Sequence, residues 1–332
     1  MHHKQKLYTN PNLLIAFSIT LIVVMGVSNI TPALPAMATF FNIPYSSVAL
    51  LITVFTMPGI IITPILGIVS DRIGRRILII PSLLIFGITG TIMVFVKDFS
   101  WLLILRFIQG VGVSALGAIN TTIIGDMFTG KDRTTAFGYN ASVLNIGTAA
   151  YPVIGGLLCI AGWNYPFLLS AFAFVVAWFV IFHLHNPEPV NEVTLQDYFK
   201  NIAAIIKKPY IIGLLSTNIL TFTLLYGPII TYFPYIISYR FNGDSATIGL
   251  IMSLMSIVTA ITASQLQFLS TRFSEKNLIF YSFLGFAISF IIAGLAQNYF
   301  WLTVAIIIGG ASNAINNPSL LSLLTGAAPT HY

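Results

Sequence analysis

Gly67-Ile-Val-Ser-Asp71-Arg72-Ile-Gly74-Arg75-Arg76 places four charges in six residues, and on either side the chain runs uncharged for twenty residues or more. A helix that crosses a bilayer needs about 20 largely apolar residues. The decapeptide therefore reads as a basic turn joining two membrane helices. The whole chain has the same character. Of its 332 residues 57% are hydrophobic and 7% charged, against about 25% charged in an ordinary soluble domain. Fifteen Lys and Arg with nine Asp and Glu cannot clothe a core of this size in water. The composition argues against a water-soluble enzyme, a disordered chain and a nucleic-acid binder. The net charge of +6 fits basic loops on one membrane face.

Outward from the basic turn, ten apolar spans are predicted: 12–34, 46–69, 77–96, 100–124, 134–158, 164–184, 210–237, 246–269, 277–296 and 300–324. Their apolar residues run all round rather than alternating, which is the pattern of helices and not of a membrane β-barrel. Counted loop by loop, twelve Lys and Arg fall on one side and two, Lys97 and Arg240, on the other. The N-terminus is accordingly expected in the cytoplasm of a bacterial cell, with the chain threading the plasma membrane. The longest connection, 185–209, opens with Asn186-Pro187-Glu188-Pro189. It then carries Leu195, Tyr198, Phe199, Ile202, Ile205 and Ile206 at helical spacing. This predicts an amphipathic helix at the interface, linking a bundle at 1–185 to a second at 210–332.

A shift of 200 residues aligns the two parts without a gap. Residues 61–110 and 261–310 share fifteen identities in fifty, where composition alone gives roughly a tenth. Ser70/Ser270, Arg72/Arg272, Trp101/Trp301 and Gly110/Gly310 are among them. Parallel repeats of this kind mark transporter halves related by an axis along the membrane normal. Span 7 repeats span 1, so the unit is six helices, and the second unit shows four. The expectation is a twelve-helix protein of roughly 390 residues, or a truncated product of one.

The decapeptide resembles the loop between helices 2 and 3 of the major facilitator superfamily, G-x-x-x-D-R-x-G-R-[RK]. The resemblance implies a six-helix N-terminal bundle and, here, an incomplete C-terminal bundle, all-α and integral to the membrane. It implies that Gly67, Asp71, Arg72, Gly74, Arg75 and Arg76 form a conformational latch, Asp71 closing on helix 11. Leu105-Arg106-Phe-Ile-Gln109-Gly110-Val-Gly112 is similar to the family's fourth-helix motif, associated with proton coupling. Arg106 is the one basic residue inside a span; a charge there is costly and marks function. Donation to backbone carbonyls of span 1 is its expected pairing. Gly147-Thr-Ala-Ala-Tyr151-Pro152-Val-Ile-Gly155-Gly156 resembles the exporter signature of span 5, with Tyr151 where that family carries glycine. Gly26…Pro32-Ala-Leu-Pro35 resembles the first helix of the twelve-helix drug/proton antiporter branch.

The family's central cavity lies between helices 1, 4, 7 and 10. In this sequence those spans supply Asn29, Thr31, Gln109, Asn120, Asn218, Thr221, Tyr226, Asn313, Asn316 and Asn317. A pocket rich in amides and poor in carboxylates suits a neutral or amphipathic compound. No Asp or Glu lies mid-span, and Asp126, at the cytoplasmic end of span 4, is the acid assigned to coupling, with pairing to Arg133 as its alternative role. Cys159 stands alone, which excludes a disulfide framework. His183 and His185 read as interfacial histidines, and no metal site, cofactor or ATP-binding loop is expected. The sequence thus predicts a monomeric, proton-coupled exporter of small amphipathic compounds that works by alternating access. An uptake symporter for a sugar or other metabolite and a truncated protein that transports nothing are the alternatives.

Overall fold

The computed structural model describes residues 10–184 and 208–327. Among them are ten helices long and apolar enough to cross a membrane. We label them α1 (Pro11–Phe41), α2 (Tyr45–Ile73), α3 (Arg75–Met93), α4 (Phe99–Met127), α5 (Gly130–Ala161), α6 (Tyr165–His183), α7 (Pro209–Arg240), α8 (Ser245–Ser264, continued as Leu266–Arg272), α9 (Glu275–Leu295) and α10 (Tyr299–Ala327). No described residue lies in a strand. The predicted amphipathic linker helix, His185 and the N-terminal lysines fall outside the described residues.

Local chemistry sets several helix starts. Asn10 accepts from the Asn12 N–H (3.0 Å) ahead of Pro11. Asp98 accepts from the N–H groups of Ser100 (2.8 Å) and Trp101 (3.1 Å). Asp244 accepts from that of Thr247 (2.8 Å). Each satisfies a donor that the first helical turn leaves unpaired. Prolines shape the interiors. Thr31–Ala33 of α1 tightens into a 3₁₀ turn beside Pro32 and Pro35. In α7, Pro228 lies in a π-helical stretch, Leu225–Tyr232, and a second runs over Ile236–Arg240. There the Thr231 hydroxyl donates to the Tyr226 carbonyl five residues back (2.7 Å).

Most helices overrun the predicted spans, and α1 does so furthest, running on to Phe41. The basic turn differs as well. It was expected as a loop, yet α2 continues through Asp71, Arg72 and Ile73, and only Gly74 leaves helical geometry, at φ +92°. That left-handed region is open to glycine and strained for other residues, so one residue suffices to turn α2 into α3.

The chain divides into two compact units, residues 1–192 and 193–332. In the first, α4 packs along α2 and α3, and α1 lies against α4, α5 and α6. Its core gathers Ile19, Met25, Phe55, Phe86, Leu116 and Ile119. In the second, α10 packs along α9, α8 and α7 around Ile229, Phe233, Phe286, Leu302 and Ile306. The 200-residue shift maps the α2/α4, α3/α4 and α1/α4 packings onto α8/α10, α9/α10 and α7/α10. The match extends to a close crossing of backbones in each unit. A Cβ on Gly110 would lie 2.1 Å from the Phe55 carbonyl oxygen, and one on Gly310 would lie 2.8 Å from that of Met255. Lipid offers apolar side chains no more and no less than a neighbouring helix does, so association rests on close packing, which small residues permit.

Candidate functional site

Arg106 organises the first unit. Its side chain is 1% exposed, in the third turn of an apolar helix. Its Nε–H donates to the Leu51 carbonyl on α2 (3.2 Å), one terminal nitrogen to the Gly26 carbonyl on α1 (2.8 Å), and the other to Gln109 Oε1 one turn on (2.7 Å). The guanidinium carbon lies 4.0 Å from the centre of the Phe55 ring. Gln109 then donates to the Phe86 carbonyl on α3 (3.3 Å) and to the Ser170 hydroxyl on α6 (3.2 Å). One cation and one amide thereby join α1, α2, α3, α4 and α6. A charge in hydrocarbon needs such partners, and guanidinium presents its donors in a planar fork that reaches three at once.

The α2–α3 turn carries the second cluster. Arg75, buried at the start of α3, forms an ion pair with Asp126 in the last turn of α4 and donates to the Thr122 carbonyl (3.3 Å). Arg76, exposed, donates to the Ile181 carbonyl on α6. Asp126 is therefore paired across helices with Arg75, and not with Arg133 as expected from their closeness in sequence. The helical approach of α3 to the end of α4 decides this. Gly67, Asp71 and Arg72 are described by their helical backbone alone.

On α5, Gly147, Tyr151, Pro152, Gly155 and Gly156 are buried. A Cβ on Gly155 would lie 1.8 Å from the Asn29 carbonyl oxygen of α1. Asn29 itself donates to the Pro166 carbonyl (2.9 Å). The exporter-like stretch is thus where α5 presses on the bend of α1, and Asn29 ties that bend to α6.

The remaining predicted residues separate into braces and freer side chains. Asn120 donates to the Thr20 hydroxyl (2.7 Å), which donates to Asn140 Oδ1 on α5 (2.6 Å). In the second unit the Thr221 hydroxyl donates to Asn316 Oδ1 (2.7 Å), and Asn316 donates to the Ser282 hydroxyl on α9 (2.7 Å). Thr31 is buried and bonds within its own helix, to the Val27 carbonyl (2.9 Å). Asn317 donates to Asn313 (3.2 Å), and Tyr226 stacks on Phe222. Asn218 is partly buried on α7. Asn29 and Asn120 each keep one buried amide oxygen without a partner among the described residues. Sequence reasoning missed Thr20, Asn140, Ser170 and Ser282. A lone hydroxyl or amide in an apolar span breaks no pattern, and its partner lies on another helix. No described group of three or more His, Cys, Asp or Glu is placed to hold a metal ion.

Comparison with known proteins fits this geometry. Residues 16–332 match the Major Facilitator Superfamily. The chain is 27% identical over 333 residues to the class D tetracycline resistance protein of Salmonella ordonez, covering 96% of this chain and 82% of that one. It is 29% identical over 275 residues to multidrug resistance protein 1 of Bacillus subtilis, covering 82% and 68%. Among solved structures it superposes on a mutant form of the nucleoside transporter NupG with a TM-score of 0.81 at 16% identity, over 98% of this chain and 84% of that one. At that identity the likeness speaks for the fold alone. With the family matched along nearly its whole length and ten membrane helices in place, this chain is a multi-pass membrane protein that belongs to the Major Facilitator Superfamily of transporters.

Proposed function

We propose that the chain exports small amphipathic compounds across a bacterial plasma membrane, driven by protons and working by alternating access as a monomer. The observation that carries this reading is the contact of α5 with α1. The Pro152–Gly156 stretch resembles the exporter signature, and Gly155 meets the Asn29 carbonyl with no room for a side chain. The tetracycline and multidrug resistance proteins among its relatives support the same reading. The N-terminus faces the cytoplasm, as the distribution of Lys and Arg supports. Residues 1–185 form one bundle, 186–209 the linker and 210–332 the second bundle. By the family resemblance, Asn29, Thr31, Asn120, Asn218, Tyr226, Asn313 and Asn317 are the residues that meet the compound, offering it neutral hydrogen-bonding groups. Arg106 with Gln109 and Gly110 braces the coupling region, and Asp126, held by Arg75, is the acid that exchanges the proton.

The test is accumulation of tetracycline and of ethidium in a drug-sensitive bacterial host expressing this chain. Lower accumulation than in the vector control, abolished by a protonophore, supports the proposal. Unchanged or raised accumulation of both overturns it. Reporter fusions after Asn186 should give a cytoplasmic signal; a periplasmic one overturns the orientation.

A further inference from the structure

The 200-residue shift that relates the two units places Arg75 on Glu275 and Thr122 on Ser322. Both pairs are in contact. In the first unit Arg75, the first residue of α3, donates to the Thr122 carbonyl of α4. In the second Glu275, the first residue of α9, accepts from the Ser322 hydroxyl of α10. Third helix is joined to fourth at the same place in each unit, through side chains of opposite charge. The remainder of the first cluster has no counterpart, because Asp126 falls on Gly326. The two cations nearest Glu275 in sequence lie against rings: Arg272 over Phe268 (4.3 Å) and Lys276 near Tyr210 (6.0 Å). Helix α10 carries no charged residue at all. The carboxylate lies in the first turn of α9, where the helix dipole favours a negative charge, and a charged acceptor makes a stronger hydrogen bond than a neutral one.

Each contact sits close to an amide brace. Thr122 is two residues beyond Asn120, and Ser322 is six beyond Asn316, which is about 9 Å along a helix. We infer that Glu275 and Ser322 are positioning residues: their hydrogen bond sets the height and rotation of α10 against α9, and so the placing of Asn316 and Asn317, as Arg75 sets α4 and Asn120. This rests on the proposal that the amides of α10 meet the transported compound.

Two measurements on the full chain separate the inference from that proposal. The first is thermal unfolding of the purified protein in detergent for E275A, S322A and the double variant. The hydrogen bond predicts that the double variant melts no lower than the worse single one; fully additive losses overturn it, whatever the protein transports. The second is tetracycline transport in vesicles. E275A and S322A should raise KM by about threefold or more while leaving the maximal rate within about twofold. E275Q and S322T, whose side chains still accept and donate, should keep the wild-type KM. A fall in maximal rate at unchanged KM, or E275Q behaving like E275A, overturns the positioning role. If the wild-type chain moves no tetracycline, the proposed function fails and the melting cycle still decides the contact.

Discussion

Arg75 and Asp126 form an ion pair between the first residue of α3 and the last turn of α4, with the guanidinium buried and the carboxylate 42% exposed. Loss of the carboxylate takes this counter-charge from a buried cation, whereas loss of the cation leaves an acid that water can still reach. Asp126→Asn should therefore destabilise the protein more than Arg75→Gln. For a pair open on one side the difference is about 1–2 kcal/mol, read from chemical or thermal unfolding in detergent. The pair also bears on coupling. In vesicles Asp126→Asn should abolish gradient-driven transport and spare substrate counterflow, which needs no proton gradient. Survival of both would make Asp126 structural.

Arg106 and Ile306 occupy equivalent places in the two units, one in a polar network and the other in an apolar core. Arg106→Met alone leaves Gln109 Oε1 and two backbone carbonyls without their donor. It should cost about 3 kcal/mol or more. Arg106→Met combined with Gln109→Leu removes both sides of that network and should recover part of the loss, because apolar replacements of buried polar groups are often well tolerated. Transport should stay absent in both. Recovery of transport in the double variant would show that the network serves only the fold.

Gly155 and Gly110 face backbone oxygens, which cannot move aside as a flexible side chain can. Gly155→Ala and Gly110→Ala should each lower the melting temperature sharply or prevent accumulation of folded protein. Gly117→Ala and Gly138→Ala, where an added Cβ meets nothing within 4 Å, should be neutral or stabilising by up to about 1 kcal/mol. Melting of the four variants side by side checks the contrast.

Asp244 lies just outside α8 and caps it. Hydrogen bonds from the Thr247 side chain and backbone hold its carboxyl below the usual carboxylate range. The ionised form is favoured in the folded protein. The contribution to stability is thus present above the ordinary carboxylate pKa near 3.9 and is lost as the pH falls through the lowered folded value. Asp244→Ala should cost about 1 kcal/mol at neutral pH. Asp244→Asn, which still caps, should cost less and flatten the acid side of the stability curve. An unchanged acid limb in Asp244→Asn would show that the cap carries no charge dependence.

Much of this was legible in residue order. The spans follow from length and hydropathy, because a bilayer demands about 20 apolar residues wherever a helix crosses it. Arg106 stood out because a cation in hydrocarbon is rare. Gly110 and Gly310 were visible as a repeated pair. Thr20, Asn140, Ser170 and Ser282 were not, since a hydroxyl or amide within an apolar helix can satisfy itself locally or face a neighbour with equal ease. The partner of Asp126 was misjudged for a related reason. Arg133 is seven residues away along the chain, but α3 brings Arg75 against the end of α4.

Sequence alone determined how many helices the described chain has, the place of the basic turn and the existence of the repeat, because these rest on composition and spacing along one strand of residues. The tertiary structure decided which groups meet: Arg106 with Gly26 and Leu51, Asp126 with Arg75, Gly155 with Asn29, Glu275 with Ser322. Those pairings depend on how each helix is rotated and how far it slides against its neighbour. In a bilayer those two degrees of freedom are set by close packing between helices, to which residue order gives only indirect access.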